Sequence, residues 1–278
     1  MSDISTKPGG SRYSQALKCH QRHGQVQLGP HRNAIILVGA QAIYLHTGMA
    51  EVALAEFTTD ADLVIDSREL SDAPLVEAAM KAGRFLHPVD RNPGVWVSRD
   101  GVQVDLMVPA AIAGTGRRGV DAPPHDRTSM RKSIGLEAAL VDNSEMEIGA
   151  FDPNDARRFG VLVAGPAALL VAKLHKLHER IDEARAVENK DAHDIYRILV
   201  AINTEELASE IQRLLGDDLS ASVTADACRF LTELFSAGPD AAGSTMAGAA
   251  EFGIGSPELV AQSVSLLAAD LDAQLAAG

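Results

Sequence analysis

A mixed α/β unit followed by an all-helical C-terminal part is what this 278-residue sequence predicts, on three observations. As far as about residue 164, short β-branched apolar runs alternate with stretches of helical period. From Pro166 onward apolar residues recur at helical spacing and the strand signals stop. Three aspartates of the first part fall inside strand patterns rather than in the loops between them.

Taken in order, "AIILVGAQAIYLHTG" reads as a strand over Ile35 to Val38, a tight turn at Gly39, and a helix with Ala42, Ile43 and Leu45 on its apolar side. Val64 and Ile65 lie in the next strand. In "SDAPLVEAAMKAG" Ser71 or Asp72 caps a helix and Gly83 stops it. "GVWVSR" and "VQVDLMV" form a hairpin turned by Asp100-Gly101, with Trp96 facing away from Val95 and Val97 and serving packing. Residues 110–135 are aperiodic and rich in Gly, Pro and Arg, and read as a loop. Strands near 146–150 and 159–164 complete a mixed sheet with helices on one side.

Pro166 opens a long helix with Leu170, Leu174, Leu177 and Ile181 as its apolar stripe. Asn189 caps the next, "NKDAHDIYRILVAI". Helices follow over 204–215, about 221–236 after Ser220, and about 257–275 after Ser256. Between the last two, "AGPDAAGSTMAGAAEFGIG" reads as a flexible linker or lid. The domain reading is a loose tail over 1–14, an α/β domain over 15–164, and a helical domain over 165–278 that closes a cleft.

Lys+Arg 25 against Asp+Glu 38 gives a net charge of −13, which excludes a broadly nucleic-acid-coating surface and leaves room only for a local basic patch. The densest such cluster is Arg117, Arg118, Arg127, Arg131 and Lys132, which reads as an RNA-backbone contact or as a solvated loop. Two cysteines, Cys19 and Cys228, with no CxxC pair, fit a reducing cytoplasm. The N-terminal residues show no apolar signal core, and no apolar run approaches the roughly 20 residues of a membrane span, so the expectation is a cytoplasmic protein without membrane contact. Cys19 with His20 and His23, and His175 with His178, lack zinc spacing and read as packing or surface groups.

Alternation along residues 60–66 points Asp60, Asp62, Val64 and Asp66 to one face and Ala61, Leu63 and Ile65 to the other. In "VQVDLMV" Asp105 shares a face with Gln103 and Met107. Paired in one sheet, the strands can present Asp60, Asp62 and Asp105 to a single opening. Three facing carboxylates repel unless a cation neutralises them, and an oxygen-only ligand set suits Mg²⁺ or Mn²⁺. Two such ions serve phosphoryl transfer. Asp60 and Asp62 alone read equally as a turn cap and a solvated strand residue; Asp105 and the turn glycine, with its free helix N–H groups for phosphate, favour the metal reading.

The stretches "VGAQAIYLHTG", "TTDADLVID" with "VDLMV", "KLHKLHER" and "DIYRI" together resemble nucleotidyltransferases of the DNA polymerase β superfamily, and most of all their abortive-infection and toxin–antitoxin (AbiEii-like) branch. The resemblance covers residues 35–198. It implies that Gly39 and Ala40 hold the triphosphate of a nucleoside triphosphate (NTP) and that Asp60, Asp62 and Asp105 bind Mg²⁺ or Mn²⁺. It also implies that Lys173 and Arg180 grip phosphates and that Asp194 serves as general base. Lys173, Lys176 and Arg180 form a basic stripe by spacing alone, which reads otherwise as a solvated face paired with Glu179 or Glu183. The implied activity is transfer of a nucleoside monophosphate to a tRNA end, a protein hydroxyl or a small molecule, with an antitoxin as a further partner. Ala40 stands where the family has Ser or Gly, and Glu56-Phe57 where an Arg often precedes the aspartates. These motivate an alternative, a catalytically idle nucleotide- or protein-binding relative. A third reading is a two-metal phosphohydrolase.

Overall fold

The computed structural model describes residues 29–48, 60–88, 92–149, 158–181 and 186–277. The tail over 1–14, Cys19, His20, His23, Glu56, Phe57 and Glu183 lie outside the described residues. Eight strands among the described residues make one mixed sheet: β1 (Ile35–Val38), β2 (Ala61–Ile65), β3 (Phe85–Leu86), β4 (Val95–Ser98), β5 (Gln103–Pro109), β6 (Arg131–Ser133), β7 (Asn143–Gly149) and β8 (Arg158–Ala164). Their order is β3-β4-β5-β2-β1-β8-β7, with β6 also pairing with β5. β1 runs antiparallel to β2 and parallel to β8, while β2 and β5 are parallel.

All four residues of β1 are buried, as are Leu63, Val64 and Ile65 of β2. Such continuous burial means that both faces of the sheet are covered at its centre, where the sequence predicts helices on one side only. The polar face of β2 is polar only at its start. At its far end Asp66 turns back to accept hydrogen bonds from the backbone N–H and guanidinium of Arg68.

The helices are α1 (Gly39–Thr47), α2 (Val76–Ala82), α3 (Glu137–Val141), α4 (Pro166–Arg180), α5 (Ala186–Ala201), α6 (Thr204–Leu215), α7 (Ala221–Leu231), α8 (Ala242–Ala249) and α9 (Pro257–Ala277). A π-helical turn over Thr232–Ser236 extends α7. Leu170, Leu174 and Leu177 are buried where α4 packs on α5 and α7. α4 has no side-chain cap of its own, but Asp142 Oδ2 accepts from Ala168 N at 3.0 Å and supplies one from a distance. Asp142 lies so close to Gly165 that a Cβ there would meet its Oδ1 at 2.0 Å.

Three boundaries differ from the sequence reading. α2 starts at Val76 with no side-chain cap, beyond Ser71 and Asp72, although Gly83 does end it. α5 starts at Ala186, so Asn189 is inside the helix. Ser220 does not cap α7 through its side chain; its hydroxyl donates to Leu214 O at 2.8 Å. Asn203 is a true cap, its side chain accepting from the N–H groups of Glu205 and Glu206.

The small-residue stretch that reads as a linker or lid contains helix α8, packed against α5 and α9. Its glycines permit close approach: a Cβ at Gly243 would lie 2.6 Å from Phe235 Cζ, and one at Gly248 would lie 2.4 Å from Pro257 O. The residues 110–135, read as loop, also hold the short strand β6. Gly248→Ala should destabilise the protein by about 1–3 kcal/mol in urea unfolding, because backbone rather than a flexible side chain stands in the way. A flexible linker would tolerate the methyl group.

Candidate active site

The parallel pairing of β2 with β5 sets Asp62 directly opposite Asp105, with Ala61 opposite Val104 and Leu63 opposite Leu106. On the other side of β2, Asp62 is opposite Val38, the last residue of β1. The chain then turns through Gly39 at φ +74°, and a Cβ there would lie 2.3 Å from Asp62 Oδ2. Gly39 therefore has two reasons to be glycine: left-handed backbone and a carboxylate pressed against it. Ala40 is buried behind it, and no side chain caps the α1 N-terminus.

Asp105 is mostly buried, and both its oxygens are engaged. Gln103 Nε2 donates to Oδ1 at 2.9 Å and Arg131 donates to Oδ2 at 3.2 Å. Burial first, and then the charge of Asp62, hold its carboxyl above the ordinary carboxylate range, against the pull of Arg131 and Gln103. Arg131 arrives through β6, whose residues pair parallel with β5 so that Arg131 is opposite Met107.

Asp60 precedes β2, and its backbone carbonyl accepts from Gln41 Nε2 at 3.0 Å. Among the described residues no three His, Cys, Asp or Glu side chains are gathered as a metal site would gather them. The donor chemistry nevertheless fits a hard divalent cation, since Asp62 and Asp105 are adjacent, oxygen-only and mutually repelling.

Opposite the carboxylates stands α4. An open cleft is lined on one side by Gly39, Asp62 and Arg131 and on the other by Lys173, Lys176 and Arg180. These cations are not equivalent. Lys173 is buried, and its Nζ donates to Asp191 Oδ1 and to Asp194 Oδ2, each at 2.6 Å. Burial alone would lower its pKa, but the two carboxylates overcome it and keep the ammonium protonated. Lys176, more exposed, reaches the same Asp191 oxygen at 3.1 Å. Burial would raise the Asp191 pKa, yet Lys173 and Lys176 hold it below the usual value.

Asp194 differs from the sequence reading. Its side chain is sealed from solvent, one oxygen is bound to Lys173, and Oδ1 has no hydrogen-bond partner among the described residues. A general base must reach the proton it takes; as placed, Asp194 contacts Lys173 and does not line the cleft. Lys173 bridges α4 to Asp191 and Asp194 of α5 while lining the cleft. Lys176 and Arg180 are the accessible cations.

Of the other sequence candidates, Trp96 is buried and donates from Nε1 to Ser129 O at 2.9 Å, a packing role. His178 stacks on Phe230 at 3.7 Å between centroids and His175 meets the same ring edge-on, so both are packing groups. Arg118 and Arg127 bond to Asn92 and to Thr115 O. Sequence reasoning missed Arg131 as the partner of Asp105, since a three-residue strand leaves no periodic trace. It also missed Asp191, although its i, i+3 spacing to Asp194 puts both on one helix face.

The chain belongs to a nucleotidyltransferase family, whose sequence model matches residues 26–216. No curated protein matches it. The crystal structure of a candidate nucleotidyltransferase from H. pylori aligns over 98% of both chains at 12% identity, with a TM-score of 0.34, a likeness too loose to argue from. Among the described residues no helix is long and apolar enough to cross a membrane.

Asp191→Asn should destabilise the fold by about 3 kcal/mol or more in urea titration, because Lys173 then keeps its buried charge with half its partners. The wild-type contribution has a defined pH window. Asp191 titrates lower in the folded state than the unfolded value of 3.8, so its contribution is complete above about pH 4 and disappears as pH falls below that. Asp191→Asn should therefore flatten the acid limb of the stability curve.

Proposed function

We propose that the cleft transfers a nucleoside monophosphate from an NTP to an acceptor hydroxyl, with release of pyrophosphate, and that it needs Mg²⁺ or Mn²⁺. The observation that carries this reading is Asp62 beside Asp105 in strand register, against the turn glycine and across the cleft from Lys176 and Arg180. Asp62 and Asp105 would hold the ion, and Asp60, at the head of β2, is added as a third ligand on the family resemblance alone. Bound there, the ion supplies charge neutralisation at the triphosphate and at the attacking and leaving oxygens.

The chain's own residues do the positioning. Lys176 and Arg180 bind phosphate oxygens, and the α1 N-terminus at Gly39 offers N–H groups to the same anion. Arg131 and Gln103 fix the orientation of Asp105. Lys173, pinned by Asp191 and Asp194, sets the pose of α4 and so of the two accessible cations. As the acceptor oxygen bonds to the α-phosphorus, the bond to pyrophosphate breaks and the hydroxyl proton leaves to solvent or to the departing pyrophosphate.

We extend the reading, on the resemblance of the α4 and α5 motifs, to a cytoplasmic toxin of a toxin–antitoxin or phage-defence pair. Its acceptor would be a tRNA end or a protein hydroxyl. The division into α/β and helical domains near residue 165 belongs to the same proposal, and it is supported by the change from β8 to α4 at that point. A second reading, an idle nucleotide-binding relative, is favoured by one observation: both oxygens of Asp105 are already occupied by protein donors.

Incubation with each α-labelled NTP, Mg²⁺ and an RNA or protein extract separates the readings. Transfer of label to a macromolecule, reduced at least about 100-fold in Asp62→Asn and in Asp105→Asn, is the expected result. NTP binding without transfer supports the idle relative. Release of labelled mononucleotide with no labelled acceptor supports a phosphohydrolase.

A further inference from the structure

Phosphate and metal chemistry leave one side of the cleft unexplained. Met107, Ile134, Leu136, Leu169 and Ala172 line it with apolar surface. Met107 and Leu136 are nearly buried, but Ile134 is 64% exposed. A single exposed isoleucine is ordinary on a protein surface. Here, however, it stands exposed over the buried side chains of Met107, Leu136 and Leu169, in the cleft that also holds the accessible cations.

Backbone geometry fixes how Ile134 is presented. β6 ends at Ser133, and the chain then turns through Gly135 at φ +80°. A Cβ on Gly135 would lie 2.6 Å from the Cβ and Cγ of His175, so the turn is clamped against α4. Leu136 is buried at the base of the cleft and Ile134 is left exposed in the opening. Along α4 itself the lining changes character, from Leu169 and Ala172 to the charged Lys173, Lys176, Glu179 and Arg180. The cleft is thus amphiphilic. A polyphosphate alone would use its cations and leave Ile134 wet.

We propose that the Ser133–Leu136 turn, led by Ile134, is the subsite for the base of the nucleoside triphosphate, recognised by apolar contact with the ring face. This rests on the nucleotidyl-transfer reading and adds where the base lies and what holds it. Ser133 is the one uncharged hydrogen-bonding side chain among the described lining residues. Contact with a ring face tolerates any base, since every base has one. Discrimination among the four bases is accordingly weak, as in pockets that lack hydrogen-bond readout.

The test is calorimetric titration of the full chain, in Mg²⁺, with ATP and separately with inorganic tripolyphosphate. Wild type should bind ATP more tightly than tripolyphosphate. Ile134→Ser should weaken ATP by about tenfold and leave tripolyphosphate unchanged, while Ile134→Met, which keeps the apolar contact, should retain the preference. An unchanged ATP-to-tripolyphosphate ratio in Ile134→Ser overturns the base subsite and leaves the phosphate grip standing. Equal wild-type affinity for the two ligands overturns it as well. If wild type binds neither ligand, the nucleotidyl-transfer reading falls and the subsite with it.

Discussion

The register between β2 and β5 is the constraint on which the site depends. Side chains on a strand alternate faces, so a slip of one residue would turn either Asp62 or Asp105 into the core and bring an apolar residue into the cleft. Ala61, Leu63, Val104 and Leu106 hold the register, because each is buried at 3% exposure or less and none could take the place of a carboxylate. Hydrophobic burial on one face thereby fixes two like charges side by side on the other. That arrangement is unfavourable by itself, and Arg131 offsets part of it.

A second fixed point lies across the cleft. Buried Lys173 is held by two buried carboxylates of α5, and this ties the helix bearing Lys176 and Arg180 to α5. α5 is in turn joined to the sheet side, where Arg197 lies 4.9 Å over the Tyr44 ring of α1, and His46 of α1 bonds to the carbonyl of Ala164 at the end of β8. Buried ion pairs add little net stability compared with apolar packing, but breaking one is costly. Their value here is in the fixed distance between carboxylates and cations, which phosphoryl-transfer chemistry requires more than it requires reactive side chains.

Much of this was legible in the sequence wherever a period was long enough to read. The strand, glycine turn and helix at 35–47, the hairpin about Asp100-Gly101, the face shared by Gln103, Asp105 and Met107, and the cationic stripe of α4 all follow from alternation or helical spacing. What was not legible depends on contacts distant in sequence. β6 is three residues long and pairs with Met107–Pro109, where β5 extends beyond its partner β4, so neither Arg131 on Asp105 nor Ile134 in the cleft could be inferred. α8 is rich in glycine and reads as a linker, yet packing against Phe235 and Pro257 overrides its poor helix propensity. Asp194 looked like an accessible base because spacing reports which face a residue occupies and not what covers it.

The account stands or falls on whether Asp62 and Asp105 together bind a divalent ion. Mn²⁺ titration followed by electron paramagnetic resonance measures this without any need for an acceptor. The free-ion signal should diminish on adding wild-type protein and remain nearly unchanged with folded Asp62→Asn or Asp105→Asn. Equal Mn²⁺ uptake by wild type and both variants would contradict the account.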